Sequence, residues 1–242
     1  SLFLGFPRRN GRPGIRNHLL LLSICGLNTQ GARNAVRTLS DAVIVTSAYG
    51  RGQVGADKYF HQRMLTAFAT HPNVGAVLVF APDDRSCDEI GQIVIDSGRK
   101  FKGFSLQNWG EDGSAMTAAA TKEGQRLLNM LKKVSRKPCS MSDILIAAEC
   151  GHSDASSGIV SNPLVGDLFD HHILAGGAAL FSETLEWLGC EPSLYERCVS
   201  KRVSRRLRSL VEERHKITKS AEKNMFVGNP GPQNYEGGIT TL

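Results

Sequence analysis

The sequence predicts an α/β protein: a Rossmann-like parallel-sheet domain followed by a second α/β segment. Short apolar runs alternate with helix-length segments through the first half of the chain, the pattern of parallel strands covered by helices. Polar clusters fall just past several of those runs, where open parallel sheets bind ligands. The 242 residues, 41% hydrophobic and 21% charged, suffice for one large or two small domains of ordinary globular composition.

The first strand is expected at His18–Ile24, whose core is the leucine run Leu19–Leu22. A helix at Gln30–Leu39 leads to the β-branched strand Ala42–Thr46. The pattern then repeats, with a helix at Ala56–Thr70, a strand at Ala76–Phe80, a helix at Asp84–Ser97 and a strand at Phe101–Ser105. A helix at Ala115–Val134 closes this part. The stretch Ser135–Ser142, with Arg136 and Lys137 just before Pro138, reads as a linker. A Rossmann-like domain over 1–140 and a second α/β domain over 141–242 follow from it.

The second domain opens with a strand, Ile144–Ala148, followed by Cys150-Gly151-His152-Ser153-Asp154 and a serine pair, Ser156 and Ser157. Glycine on either side lets backbone approach whatever the loop holds. A polar loop capping the next helix is the alternative. A glycine-rich strand, Ala175–Phe181, precedes Glu183 and Glu186. From Arg197 to Lys223 there are ten Lys or Arg against three Asp or Glu. Val199, Val203, Leu207, Leu210 and Val211 recur there at helical spacing, so this is a long helix with a solvated basic face. No aromatic residue interleaves with its arginines to stack on bases, so no nucleic-acid partner is expected. The tail Asn229–Leu242 is turn-rich and shows no helical period.

No apolar run is long enough to cross a bilayer, and the N-terminal apolar residues run straight into Arg8 and Arg9 rather than forming a signal sequence. Six cysteines without a CxxC pair argue against a disulfide framework and a structural zinc site. A cytoplasmic protein with no membrane partner is the expectation.

Four clusters could carry chemistry. Arg16, Asn17 and His18 stand at a strand entrance, and an arginine fork matches the two oxygens of a carboxylate. Tyr49-Gly50-Arg51-Gly52-Gln53 follows a strand, with Asp57 and His61 one helical turn apart behind it; these two could be an acid/base pair, metal ligands or a surface contact. The Cys150–Ser157 loop is the third cluster. Glu183 and Glu186, three apart on an expected helical turn, are the fourth and could hold a divalent metal.

The clusters belong to a longer ordered pattern. It runs F-x-G-[FY]-x-R-x-x-G-x-x-G-x-R-N from Phe3, Y-G-x-x-Q-x-G-x-D from Tyr49 and H-P-N-[VA]-x-A-V-L-V from His71. It continues as E-C-G-x-S-D-x-x-S-G-I-x-x-N-P from Glu149, G-G-x-x-x-x-[ST]-E-x-x-E from Gly176 and G-G-I-T-T-L from Gly237. In this order the segments resemble the altronate/galactarate dehydratase family of sugar-acid lyases, over essentially the whole chain. The resemblance implies β-elimination, usually of water, from a hydroxylated acid such as altronate or galactarate. It also implies a divalent metal (Fe2+ or Mn2+), a small SAF-type domain or subunit, and a homo-oligomer.

On that resemblance His152, Asp154, Ser157 and His61 are candidate catalytic residues. Arg16, Asn17, Arg51, Ser153 and Asn162 are candidates for binding the hydroxy-acid substrate, and Cys150, Glu183 and Glu186 for binding the metal. Family members continue beyond Leu242, so the second domain is expected to be incomplete. The chain also departs from the family. Arg51 replaces the cysteine of Y-G-C, Ala81–Arg85 replaces a cysteine-bearing G-L-G-C-E segment, and Cys25 is one place out of register. His152 replaces a glycine. An added cation suits a second anionic group on the substrate, as in the (2R)-sulfolactate sulfo-lyase branch, which expels sulfite. Loss of thiols also leaves open a non-catalytic anion-binding member of the family.

Overall fold

The structure, a computed structural model, describes residues 1–49, 52–151, 153–184, 189–220 and 231–239. The chain divides into two compact units, Ser1–Asp143 and Ile144–Leu242.

In the first unit, β1 (Leu2–Gly5) precedes β2 (His18–Ser23), α1 (Thr29–Arg37), β3 (Ala42–Thr46), α2 (Gly55–Ala69), β4 (Val74–Ala81), α3 (Asp84–Asp96), β5 (Lys100–Ser105) and α4 (Gly113–Leu131). The strands and helices expected before residue 135 all form, within three residues of the expected bounds. Strands β3-β2-β4-β5 make one parallel sheet in that order. Side-chain alternation divides its core. Leu19, Leu21, Leu78 and Phe80 pack on α1 and α4 through Ala32, Leu39, Met116 and Leu127. Leu20, Leu22, Val77 and Val79 face α2 and α3 through Leu65, Ala69, Ile90 and Val94. Each buried leucine contributes about 1.5–3 kcal/mol, so this three-layer packing dominates the unit's stability.

The expected linker is a strand. Residues Lys137–Ser140 form β6, paired antiparallel with β1 in the register Leu2↔Ser140 to Gly5↔Lys137. Pro138 is tolerated because a two-stranded ribbon is all edge. Arg136 fastens the ribbon: its guanidinium donates to the carbonyls of Leu4 (2.9 Å) and Ile15 (3.0 Å) and lies 4.7 Å over the Phe6 ring.

Two arginines organise the amino-terminal edge of the sheet. Arg8 donates to Pro72 O, Asn17 Oδ1 and Arg16 O, and Arg99 to the carbonyls of Thr70, His71 and Val74. Burial, with Arg99 nearby, brings the Arg8 guanidinium down to about 10. The same two causes lower the His71 imidazole from its ordinary 6.5, and Nδ1 of that ring accepts the Asn73 N–H at 3.1 Å. A histidine depressed in the folded state contributes stability that is present above its unfolded value and is lost as pH falls through the folded one. The melting temperature should therefore fall as pH drops below about 6.5, and His71→Asn, which keeps an acceptor in place, should flatten that part of the profile. Thermal melts of both proteins across this range check it.

The second unit is built on a parallel pair, β7 (Leu145–Ala148) and β8 (Ala178–Phe181). They are joined through a π-helical turn at Ser157–Ser161 and α5 (Asn162–Leu174). His172 on α5 is 5% exposed, with Nε2 3.2 Å from the Ile144 carbonyl, which anchors the helix to the start of β7. Helices α6 (Glu191–Glu196) and α7 (Lys201–Ser220) pack through Arg208, 3.9 Å over the Tyr195 ring. Of the expected apolar stripe on α7, Val211 is buried, while Val203 and Leu210 are exposed. Val199 precedes the helix, because α7 begins at Lys201 rather than Arg197. The tail is not without helix: Pro232–Glu236 forms α8, five residues with Pro232 at its start, too short to show a period. Among the described residues, no helix is long and apolar enough to cross a membrane.

Candidate functional site

Because β7 and β8 run parallel, their carboxyl ends lie side by side. The residues that follow them are Glu149 and Cys150 after β7, and Ser182 and Glu183 after β8. The Ser182 hydroxyl donates to the Glu149 carboxylate, bridging the two strand ends. Cys150 Sγ lies 2.9 Å from Ser153 Oγ. Asp154 Oδ1 accepts from the backbone N–H of Ser156 (2.8 Å) and Ser157 (3.2 Å) and from the Ser156 hydroxyl (2.6 Å), while Ser157 Oγ accepts the Asp154 N–H. This reciprocal arrangement is a helix cap, so the capping role is real. It also orients one carboxylate in the loop that follows β7. Asn162, expected to bind substrate, is the exposed first residue of α5.

The tail closes on the same loop. Asn234 donates to the Ser153 carbonyl (2.9 Å), and Ala155 N–H to the Gly237 carbonyl (2.8 Å). A Cβ on Gly237 would lie 2.7 Å from that of Asp154, so only glycine allows this approach. The loop after β7 is thus held from two sides, by Ser182 at Glu149 and by the Asn234–Gly237 segment at Ser153–Ala155.

Glu183 does not stand on a helical turn. Its φ of 59° is left-handed, a conformation that costs a non-glycine residue about 1–2 kcal/mol and that clusters at functional sites. Glu183 itself is thus not helical, while Glu186, the other half of the expected pair, lies outside the described residues, as do His152 and Arg51. Among the described residues, no three His, Cys, Asp or Glu side chains come together as a metal cluster. Of the expected metal set, Cys150 and Glu183 are the described members.

In the first unit, Arg16 and Asn17 precede β2 and so sit at the amino edge of the sheet, opposite the edge where such sheets bind ligands. Asn17 is a structural bridge that accepts from Arg8 and donates to Leu131 O (3.4 Å). Arg16 is exposed and bonds the adjacent Ile15 carbonyl. His61 does lie at the carboxyl end, but it does not pair with Asp57. Its Nε2 is 2.9 Å from Ser47 Oγ, which also lies 3.0 Å from the Tyr49 carbonyl. At the ends of β4 and β5, Asp83 caps α3 through the Ser86 N–H, and Asp84 accepts from Ser105 and Asn108. The segment Ala81–Arg85 thus contributes to a capping cluster at the start of α3.

Glu149, Ser182 and Asn234 were not anticipated as site residues. Glu149 and Ser182 lie within the quoted motifs, and each is the first residue after a parallel strand, a position that marks them.

The family described as D-galactarate dehydratase/altronate hydrolase, second domain, matches residues 5–133, and the one described as D-galactarate/altronate dehydratase, C-terminal, matches 141–242. The chain belongs to the D-galactarate/altronate dehydratase family. It is similar to the (2R)-sulfolactate sulfo-lyase subunit beta of Chromohalobacter salexigens, 30% identical over 99% of this chain and 61% of that protein. It is also similar to the altronate dehydratases of Escherichia coli and Bacillus subtilis, each 28% identical over 50% of their lengths. The chain thus spans about half to three-fifths of these members of the dehydratase family.

Proposed function

We propose that this chain carries the elimination site of a lyase that removes a β-substituent from a hydroxylated carboxylic acid. The observation that carries the reading is the loop after β7, to which Ser182 after β8 is bonded at Glu149 and the Asn234–Gly237 segment at Ser153 and Ala155. Removing a proton beside a carboxylate builds an enediolate, which needs a base and fixed cations. In this loop Asp154 and His152 are the groups proposed to move that proton. In the first unit Arg51, from the Y-G-x segment of the sequence, is the cation proposed to bind a substrate carboxylate. Ser153 and Ser157 present hydroxyls to a polyol. The substrate class is a hexonate or hexarate such as altronate or galactarate, losing water to give a 2-keto-3-deoxy acid.

A second reading, sulfite as the leaving group, is favoured by Arg51 in the Y-G-x segment, which suits a second anion such as a sulfonate. The sulfo-lyase relative is a subunit beta, so a second subunit or small SAF-type domain completes the enzyme on either reading.

The test is the full-length protein with altronate, galactarate and sulfolactate, with and without Fe2+ or Mn2+, assayed for 2-keto acid and for sulfite. Turnover of one substrate is expected. Arg51→Ala should raise KM for it about 10- to 100-fold, the worth of a hydrogen bond to a charged group. Binding without turnover across the panel would replace the enzyme reading with an anion-binding one.

A further inference from the structure

A helix of five residues, such as α8, does not hold itself in water. This one is closed at both ends by bonds of its own. At its start, Asn234 Oδ1 accepts the Gly231 N–H at 2.8 Å. At its end, the Ile239 N–H reaches back to the Asn234 carbonyl (2.9 Å) and the Gly238 N–H to that of Tyr235 (3.0 Å), with Gly238 at a left-handed φ of 92°. That is the Schellman closure, which favours glycine at this position. Residues 231–239 are thus a stiff clasp rather than a loose tail.

The clasp meets the loop after β7 at one residue. The two peptide groups that bracket Asp154 carry four polar atoms, and each of them is bonded. Ser157 takes the inner two: its Oγ accepts the Asp154 N–H (3.0 Å) and its N–H donates to the Asp154 carbonyl (3.0 Å). The clasp takes the outer two. Asn234 Nδ2 donates to the Ser153 carbonyl (2.9 Å), and the Ala155 N–H donates to the Gly237 carbonyl (2.8 Å). Both peptide planes are therefore held on both sides. That fixes the backbone rotations about the Asp154 Cα, and with them the direction in which its side chain leaves the chain. Ser157 belongs to the same turn and moves with it. Asn234, 81 residues from Ser153 in sequence, ties the turn to a separate element.

We propose that Asn234 is a positioning residue for the elimination, acting through the Ser153 carbonyl to aim Asp154 at the substrate. The inference rests on the elimination reading above, in which Asp154 moves the proton. It gives the glycine pair of the G-G-I-T-T-L segment its purpose: Gly238 closes the clasp, and Gly237 lets it approach Asp154. It also explains the amide at 234. The side chain must accept from Gly231 and donate to Ser153 at once, which an amide does and a carboxylate does not. A reacting group misplaced by about 1 Å costs on the order of 100-fold in rate, so one bond behind Asp154 matters far more to turnover than to folding.

Asn234→Asp in the full-length protein tests this with a single-atom change. One carboxylate oxygen still accepts the Gly231 N–H, so α8 keeps its cap, while the other meets the Ser153 carbonyl as a second acceptor. The circular dichroism spectrum should be unchanged, and kcat should fall about 10- to 100-fold with KM held within about threefold. Independently of any substrate, the Ala155 amide should exchange its hydrogen about 10-fold faster than in the native protein, the worth of one lost bond. Gly237→Ala, which drives the clasp away from the Asp154 side, should reproduce both effects. Unchanged exchange in both variants overturns the proposal, as does faster exchange with native kcat. A rise in KM alone would put Asn234 on the substrate itself and overturn the positioning role. A native protein that turns over none of the hydroxy acids removes the elimination reading, and this proposal with it; native turnover that both variants retain removes the proposal alone.

Discussion

Replacing Asp154 by asparagine is expected to leave the second unit as stable as before and to lower turnover at least about 100-fold, the smaller end of what a positioned acid or base contributes. The two parts of this result separate the two roles of one side chain. Asparagine is as good a cap as aspartate, and its amide oxygen can accept the Ser156 and Ser157 N–H groups that Asp154 Oδ1 holds now. It cannot carry negative charge or take a proton. Asp154→Ala should lose both, with turnover reduced at least as far and about 1 kcal/mol of stability removed with the cap. Steady-state kinetics and thermal melts of the two variants on the same substrate decide the matter. If the asparagine variant keeps its turnover, Asp154 is a helix cap and the proton is moved by another group in the loop.

The first unit was legible because its strands are buried on both faces. β4, Val74–Ala81, is buried along its whole length, and such strands are written as unbroken apolar runs that need no tertiary context to recognise. The β1–β6 ribbon was not legible. Its strands are four residues each, one contains Pro138, and their partners are separated by more than a hundred residues. No local pattern reports such a pairing.

The site divides in the same way. Polar residues after an apolar run could be read directly, which is why the Cys150–Ser157 loop stood out. Arg16 and Asn17 were assigned to substrate although they precede their strand. In a parallel sheet that places them at the amino edge, a position already contained in the direction of the chain. The Ser182–Glu149 bridge and the closure of Gly237 on Asp154 are long-range contacts, visible in sequence only as motifs without a stated reason for their residues. The left-handed backbone at Glu183 had no signal, because glutamate is not a residue that advertises positive φ.

Gly177→Ala should be the most damaging single-methyl change in the second unit, at about 2–4 kcal/mol, the cost of overpacking plus a displaced hydrogen bond. The two glycines of the G-G motif have different reasons to be there. Gly176 has a φ of 97°, which side chains disfavour. Gly177 is needed for space, since a Cβ at this position would collide with the His172 imidazole. That ring is buried, with its Nε2 on the Ile144 carbonyl, while Gly177 N–H donates to the His172 carbonyl. It cannot retreat without releasing α5 from β7. Because β8 carries Ser182 and Glu183 at its far end, the displacement should reach the site as well. The melting temperature should drop by roughly 10 °C or more for a unit of this size, and turnover should fall with it. Removing the ring should relieve the clash: in the double variant with His172→Ala, the added methyl should cost much less than it does alone, giving a coupling of about 1–3 kcal/mol. If the two losses simply add, close packing of Gly177 on His172 does not explain the motif.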